Sequence, residues 1–320
     1  ETQNGIVLPS GLQGYIGSQW GAVTPLALKR VGDVPYFDLG PPPAIDHPQM
    51  KTWVLDVLRR TARLDHLDGA TIDISPGAYG NNSLGSDDGG GHPKNPVSGQ
   101  PYAANVVPRG DFGRVLAEFW ADGPKSETPP GHWNTLANSV ADSPALVRKL
   151  EGAGAELDPL SWDVHVYLAL NGAVHDAAIA AWDLKRRHQC ARPITLVRYM
   201  AALGQSSDPT GPSYNAGGLP LEPGLVEVIT AESSAPGQRH AHLQRFVGSI
   251  AVKSWRGEPG DRQGEVGGVA WLRAIDWIPY QRRTFVTPAF PGYVSGHSTF
   301  SRAGRSPVGR CRVLMVPLAT

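Results

Sequence analysis

The sequence predicts a mainly α fold, in which a helical bundle follows a loop-rich amino-terminal region. Between residues 161 and 188, apolar side chains recur at steps of three and four, which is the pattern of one long helix with a buried face. No segment shows the alternation of apolar and polar residues that is expected of a half-buried strand. The chain also contains 38 Gly and 29 Pro, an excess that predicts long irregular connections.

The elements expected along the chain begin with residues 1–108, a region rich in turn-forming residues. One helix is predicted within it, at residues 48–64, with Asp46 as its cap. From Asp111, a second candidate cap, the spacing becomes helical as far as about residue 122. Further helical segments are predicted at residues 133–140, 144–150, 194–203 and 225–252, followed by a mixed aromatic and basic segment at 266–292.

The long helix of residues 161–188 is expected to lie at the centre of the bundle. Its apolar residues step by three or four, which keeps them on one face, and the alanines among them would let neighbouring helices approach closely. The predicted buried stripe consists of Trp162, Val166, Ala169, Ala173, Ala177, Ala180 and Leu184.

Composition and charge exclude several classes of protein. With 29 basic and 29 acidic residues the formal charge is zero, so no overall field would attract nucleic acid or an anionic membrane. No run of about twenty apolar residues occurs, so a soluble protein without a membrane span is expected. An extracytoplasmic location and an oligomeric state are both left open by the sequence.

The usual metal sites are not predicted either. The two cysteines, Cys190 and Cys311, are too few for a disulfide-dense scaffold or a Cys-rich metal site. No His-Glu-x-x-His pattern or carboxylate cluster indicates zinc or magnesium. Asp87 and Asp88, in a Gly-rich stretch, are more typical of a solvated turn than of a calcium site.

Basic residues at the end of the long helix form the first candidate binding site. Lys185 and Arg192 are seven residues apart, a spacing that places two side chains on one helix face. Pro193 disfavours helix at Arg192 and would turn its guanidinium into the connection. A Lys point charge beside an Arg fork suits a tetrahedral oxyanion. Taken alone, this cluster is more typical of a solvated basic helix end.

The second candidate site is the turn at residues 290–297, which leads into a helix. Amides at a helix start have no intrahelical acceptor and can bind phosphate-like oxygens. Ser295 and the Gly296 N–H could donate to such an anion, and His297 could act as a general acid or base. Taken alone, Ser-Gly-His ahead of a helix is more typical of an ordinary cap.

In this order, the two motifs resemble those of the vanadium haloperoxidases and of the related type 2 phosphatidic acid phosphatase superfamily. The resemblance implies a helical bundle of the vanadium haloperoxidase and acid phosphatase type, in a bacterial haloperoxidase-like branch. It implies that Lys185, Arg192, Ser295 and Gly296 bind vanadate, or phosphate as a competing oxyanion, and that His297 is the catalytic acid or base. The similarity extends over about residues 96–303 and includes Asn171, His175-Asp176, residues 180–182, Pro193-Ile194, and residues 107–112 and 126–134.

The sequence departs from the family pattern after the second motif. Val294 stands where the family usually has Pro, a change that we expect to be tolerated. The family's third motif is Ser-Arg, five residues, His, three residues, Asp, and it supplies a second Arg and the His that binds vanadium. Ser301-Arg302 begins such a match, but Val308 and Arg312 occupy the His and Asp positions. No metal ligand is therefore assigned.

The carboxyl-terminal residues are expected to lie outside the bundle. Residues 304–310 include Gly and Pro, so we expect the last helix to end near residue 303. This predicts a haloperoxidase-like helical domain at residues 109–303, and an aberrant or disordered tail at 304–320 of a chain truncated before the third motif.

Four other histidines are candidate substitutes for the missing ligand, but none has a suitable spacing. His175 is expected to be a hydrogen-bonded residue inside the bundle, and His188 to lie on the exposed helix end. His240 and His242 are expected on a solvent face.

Three functions follow from these motifs. The first is peroxide-driven halide oxidation at a vanadate site, with hydrogen peroxide and a halide or small molecule as substrates, impaired by loss of the third motif. The second is phosphoester hydrolysis in the same pocket. The third is an inactive oxyanion-binding protein or truncated product. The absence of predicted membrane helices favours the haloperoxidase branch over lipid phosphatases.

Overall fold

The computed structural model describes residues 15–30, 32, 38, 40–78, 91–95, 98–120, 127–261, 263–282 and 287–310, the last five of these by their backbone only. This part of the chain is mainly helical, as predicted, and its α-helices follow one another with long connections. They are α1 (Pro48–Ala62), α2 (Arg109–Phe119), α3 (Pro129–Ala141), α4 (Pro159–His188), α5 (Pro193–Leu203) and α6 (Gly296–Arg310). Within the described residues, no helix combines the length and the hydropathy needed to cross a bilayer.

Proline in the first turn defines the start of several helices. α1, α3, α4 and α5 all carry it there, where its missing N–H would have no intrahelical partner. The cap of α1 is His47, whose Nδ1 accepts from the Gln49 N–H, so the prediction of Asp46 as cap was wrong. Asp111 lies in the first turn of α2 and does not cap it.

Two of the helix predictions were wrong, one for a whole helix and one for the end of a helix. The predicted helix at 144–150 is absent, because its hydrogen bonds are used in turns and in pairing Arg148 O with the Leu157 N–H, and only a 3₁₀ turn at Leu150–Gly152 forms. α6 continues past residue 303 to Arg310. Gly304 does not end α6: a Cβ there would lie 2.7 Å from the Trp133 ring, so glycine at this position permits close helix packing. Residues 311–320 of the predicted tail lie outside the described residues.

The expected helical segment at 225–252 was also wrong, because it contains one whole strand and the first half of another, with a 3₁₀ helix at Ala241–Phe246 between them. The strands β3 (Val226–Val228), β4 (Ile250–Trp255) and β5 (Val269–Arg273) pair antiparallel in that order. β4 is buried on both faces, so its apolar residues do not alternate regularly with polar ones. A separate pair, β1 (Thr71–Asp73) with β2 (Val106–Pro108), precedes α2.

The largest core lies between the three-stranded sheet, α1 and α5. Trp277 is fully buried there, and its indole N–H donates to Ser254 Oγ on β4 at 3.0 Å. The Arg198 Nε of α5 donates to the Trp277 carbonyl at 2.8 Å, which links the helix to this core. The other buried members of this core are Met50, Val54, Leu58, Ile194, Val197, Met200, Leu219, Leu225, Val226, Ile250, Val252 and Ala274.

Helix α4 packs against α3, α6 and a 3₁₀ turn at Trp20–Ala22, as expected for a central helix. Its buried face is wider than the predicted stripe because neighbours cover it on more than one side. Trp162, Val166, Ala177 and Leu184 are buried as predicted. Ala169 is exposed, and Ala173 and Ala180 are only half-buried, whereas Leu170, Val174, Ala178, Ile179 and Ala181 are buried.

The Asp176 carboxylate binds the backbone of the segment of residues 15–30 and holds it against α4. Asp176, 5% exposed, accepts hydrogen bonds from the backbone N–H groups of Leu26, Ala27 and Leu28 at 2.7–2.9 Å. Burial alone would raise the pKa of the Asp176 carboxyl, but these amides lower it below its usual value. The negative charge of Asp176 therefore orders residues 26–28, which belong to no helix or strand.

We predict that Asp176→Asn lowers the free energy of unfolding by about 2–3 kcal/mol, because one acceptor oxygen becomes an NH₂ group facing backbone donors. Urea denaturation followed by far-ultraviolet circular dichroism measures this loss. The matched control is Asp158→Asn, the cap of the same helix, where Asn accepts from the Ser161 N–H equally well. Equal effects of the two substitutions would contradict the anchoring role of Asp176.

Candidate functional site

The two predicted cations lie on either side of the turn between α4 and α5. Lys185 belongs to the last turn of α4 and is 1% exposed. The helix ends at Gln189 in the left-handed region, with φ 50°. Arg192 caps α5 in an extended conformation, with φ −72° and ψ 155°, as expected for a residue before proline. The prediction of a solvated helix end is therefore wrong for Lys185.

Both cations bind the backbone of one short segment, residues 290–292. Lys185 Nζ donates to the Pro291 carbonyl at 2.7 Å and to the Gly292 carbonyl at 3.4 Å. Arg192 Nε donates to the Phe290 carbonyl at 2.8 Å. The Phe290 ring lies beside both charges, 5.2 Å from Lys185 Nζ and 4.5 Å from the Arg192 guanidinium. The structure thus brings Lys185 and Arg192 together.

No acidic side chain of the described residues forms an ion pair with either cation. Burial, and then the charge of Arg192, lowers the pKa of Lys185 to about 7. Burial also lowers the pKa of Arg192. One guanidinium nitrogen, Arg192 Nη2, is buried without a hydrogen-bond partner among the described residues. The two positive charges are therefore desolvated and lack a compensating negative group in this part of the chain.

The predicted turn reaches the same region through Gly292. The Gly292 N–H donates to the Cys190 carbonyl at 3.0 Å, so the backbone of the second motif is bonded directly to the α4–α5 turn. A Cβ at Gly292 would lie 3.2 Å from the Ala191 carbonyl oxygen, which makes any larger residue tight at this position. The two motifs, a hundred residues apart in sequence, are neighbours in the fold.

Ser295 and Gly296 form the start of α6. The Ser295 Oγ accepts from the Ser298 N–H at 3.2 Å, and the Ser295 carbonyl accepts from the Thr299 N–H at 3.2 Å. This is the ordinary cap that the sequence also allowed. The Ser295 side chain is exposed. The amide of Gly296 lies in the first turn, where helical N–H groups have no intrahelical acceptor.

His297 is bound to a neighbouring helix rather than to the two cations. Its Nε2 donates to the Trp120 carbonyl at 2.9 Å, at the end of α2, and the two rings are 6.3 Å apart. Trp120 also contacts His132, which is 1% exposed and stacked on Phe119. Sequence reasoning missed this group of aromatic residues, since nothing in the spacing of α2 indicates which helix its last turn will meet.

The structure corrects two of the four other histidine predictions. His188 is not on an exposed end: its side chain is 11% exposed, and its Nε2 lies 2.8 Å from Asp38 Oδ1. His240 is fully buried rather than solvent-facing, with its Nδ1 2.9 Å from Ser233 Oγ. Burial lowers the pKa of His240, although the charge of Glu227 opposes this.

The remaining histidines agree more closely with the predictions. His175 is hydrogen-bonded, at 3.1 Å from Asp176 Oδ1, but its side chain is 37% exposed and does not lie in the core. His242 is exposed and contacts the Trp271 carbonyl at 2.8 Å. Over the described ranges, the structure contains no group of three or more His, Cys, Asp or Glu side chains placed to share a metal ion.

We predict that Lys185 makes the stability of the protein depend on pH between about 7 and 10.5. In that window the unfolded chain holds a proton on Lys185 that the folded chain has lost, so the free energy of unfolding rises with pH. Lys185→Met removes this dependence, so its free energy of unfolding relative to that of the wild type is most favourable below pH 7, where the wild type buries a charge.

Urea unfolding in buffers free of phosphate, at about pH 6 and about pH 9, tests this difference. The control is Lys253→Met, because the Lys253 side chain is 40% exposed. Parallel pH profiles of wild type and Lys185→Met would contradict the assignment.

Comparison with known proteins gives a similarity at the level of one domain. No curated protein and no solved structure matches the chain. Residues 165–222 and 238–310 match the family model described as the VCPO second helical-bundle domain. The match spans Lys185, Arg192, Ser295, Gly296 and His297, together with α5, α6 and most of α4. This part of the chain is therefore similar to a helical-bundle domain of the vanadium haloperoxidases.

Proposed function

We propose that Lys185 and Arg192, with the turn at residues 290–296, form an oxyanion site of the haloperoxidase type that binds vanadate. The observation that carries this proposal is a buried Lys185 beside a half-buried Arg192, whose Nη2 is buried, with no compensating carboxylate among the described residues. Buried charges are costly unless they are paired. A tetrahedral anion between these side chains would supply the missing negative charge.

The residues present fit such an anion. Arg192 Nη2 is a buried donor that lacks an acceptor among the described residues, and a vanadate or phosphate oxygen would satisfy it. Lys185 Nζ has three donor positions and bonds two carbonyl oxygens, so one donor remains for the anion. Binding of an anion would also raise the lowered pKa of Lys185 and keep this side chain charged.

The start of α6 would complete the site on its other side. The Gly296 N–H, at the positive end of the helix, would donate to an anion oxygen, as would the Ser295 hydroxyl. The resemblance assigns the acid or base role to His297. In the structure its Nε2 proton is held by the Trp120 carbonyl, which fixes the ring orientation.

Vanadate in a site of this kind activates hydrogen peroxide for the oxidation of halide, and this is the activity that we propose, at a rate impaired because Val308 stands where the family has its vanadium-binding His. Lys185 and Arg192 would polarise the oxygen atoms of the bound anion and stabilise their negative charge in a site that excludes water. His297 would exchange protons with oxygen atoms at the site. Phosphate has the same tetrahedral shape, so we expect it to compete with vanadate.

We predict that the wild-type protein binds vanadate and phosphate at one shared site. Lys185→Met and Arg192→Lys should each lower the affinity for both anions about 10–100-fold. Each variant loses a charge-assisted hydrogen bond; Arg192→Lys keeps the charge but loses the fork. Isothermal titration calorimetry measures the affinities. Lys253→Met is the control and leaves them unchanged.

Bromide-dependent consumption of hydrogen peroxide by the vanadate-loaded protein tests the activity itself. Turnover that is lost in Lys185→Met and in His297→Ala supports the assignment. Turnover that survives both substitutions would contradict it. Anion binding without turnover would instead support a protein that only binds oxyanions.

We predict further that sulfate, whose charge is constant near neutral pH, binds more weakly as the pH rises above 7. The anion binds the protonated form of Lys185, so the affinity falls about tenfold per pH unit above the pKa of about 7 and is level below it. The Lys185→Met variant should show no such slope. A slope that persists in this variant would assign the titration to another group.

A further inference from the structure

An apolar cavity of about 180 Å³ lies beside the candidate oxyanion site, between α1, the start of α5 and the segment before α6. Three elements that are far apart in sequence form its walls. Its floor consists of Met50, Val54 and Val197, which are buried members of the main core. This position makes the cavity a fixed feature of the packing, because its floor cannot move without disturbing the core.

One side of the cavity is open at an aromatic residue. Trp53 of α1 lines it and is 41% exposed, although large apolar side chains are normally covered. Val57, one turn further along α1, and Leu196 of α5 are half-buried lining residues. A nonpolar molecule that enters here would remove the exposed indole and these aliphatic side chains from water, which is favourable in proportion to the area covered.

The wall opposite α1 carries hydroxyl and thiol groups. It is formed by Cys190, Gly292, Tyr293 and Ser295, of which the last three belong to the second motif. The Ser295 Oγ accepts from the Ser298 N–H, so its own proton can be donated to a ligand. The Cys190 thiol is half-buried, and burial raises its pKa, so it is a neutral, weakly polar group in this wall.

The size and lining of the cavity define the class of ligand. An engineered apolar cavity of about 150 Å³ in another protein binds benzene, so this cavity holds one aromatic ring with a small substituent. We propose that it is a binding site for a single-ring aromatic molecule, with the ring on α1 and α5 and a polar substituent at the Ser295 wall. This proposal rests on the cavity and holds without a bound anion; the Ser295 hydroxyl has one proton, which it can donate to the aromatic ligand or to an anion but not to both.

We expect 4-fluorophenol to bind the wild-type protein saturably, with a dissociation constant on the order of 0.1–1 mM, typical of a ligand of this size. Fluorine NMR line broadening during a protein titration measures it. Val57→Trp fills the cavity from a half-buried helix position and should weaken binding at least about tenfold. Leu196→Trp fills the same cavity from α5 and serves as a second, independent variant.

The matched control is Val164→Trp, the same substitution at a residue of α4 that is 56% exposed and does not line the cavity. It should leave 4-fluorophenol binding within about twofold of the wild type. Circular dichroism establishes that each variant is folded before its binding is compared. Absence of saturable binding by the wild type, or equal binding by folded Val57→Trp and Leu196→Trp, would overturn the proposal. Vanadate titration of the same samples tests the anion site separately.

Discussion

The hydrogen bonds of Lys185 and Arg192 to the backbone of residues 290–292 connect the two parts of the candidate site. Without them, the end of α4 and the segment before α6 would be joined by the hydrogen bond from the Gly292 N–H to the Cys190 carbonyl and by side-chain packing around Trp182 and Phe300. The carbonyl oxygens supply partial negative charge, but they do not replace a full anion. This explains how Lys185 can be buried and Arg192 half-buried while the pKa of Lys185 is still lowered to about 7.

The position of α4 follows from its neighbours on several sides. Asp176 and Asp183 each bind the segment of residues 15–30, the first through backbone amides and the second through Arg30 at 2.7 Å. Reciprocal hydrogen bonds between Asn171 and Asn134 join α4 to α3. Polar contacts of this kind require specific partners, so they fix the rotation of the helix and with it the direction in which Lys185 projects.

The candidate oxyanion site and the apolar cavity share the segment that contains Gly292 and Ser295. On one side, the carbonyl oxygens of this segment accept hydrogen bonds from Lys185 and Arg192, and the segment leads into the start of α6. On the other side, it borders aliphatic and aromatic side chains. A small organic molecule and an oxyanion could therefore lie on either side of the same backbone. Binding of one would then change the affinity for the other by the same factor in each direction.

Much of the helical framework was predictable from the sequence, because proline placement and three-to-four-residue spacing act locally. α1, α4 and α5 follow from these signals, and so does the extended conformation of Arg192 before Pro193. The sheet was not predictable by the same method, since β4 is covered on both faces and therefore lacks alternation. Gly304 signals a helix end in the sequence but in the structure permits contact with Trp133.

The sequence by itself determined which residue types could bind an oxyanion and in what order they occur: Lys185, Arg192, Ser295, Gly296 and His297. Only the tertiary structure decided that Lys185 is buried, that Arg192 Nη2 lacks an acceptor among the described residues, and that the His297 proton is held by the Trp120 carbonyl. The physical reason is that burial and partner choice depend on contacts between elements more than a hundred residues apart. No local pattern contains that information.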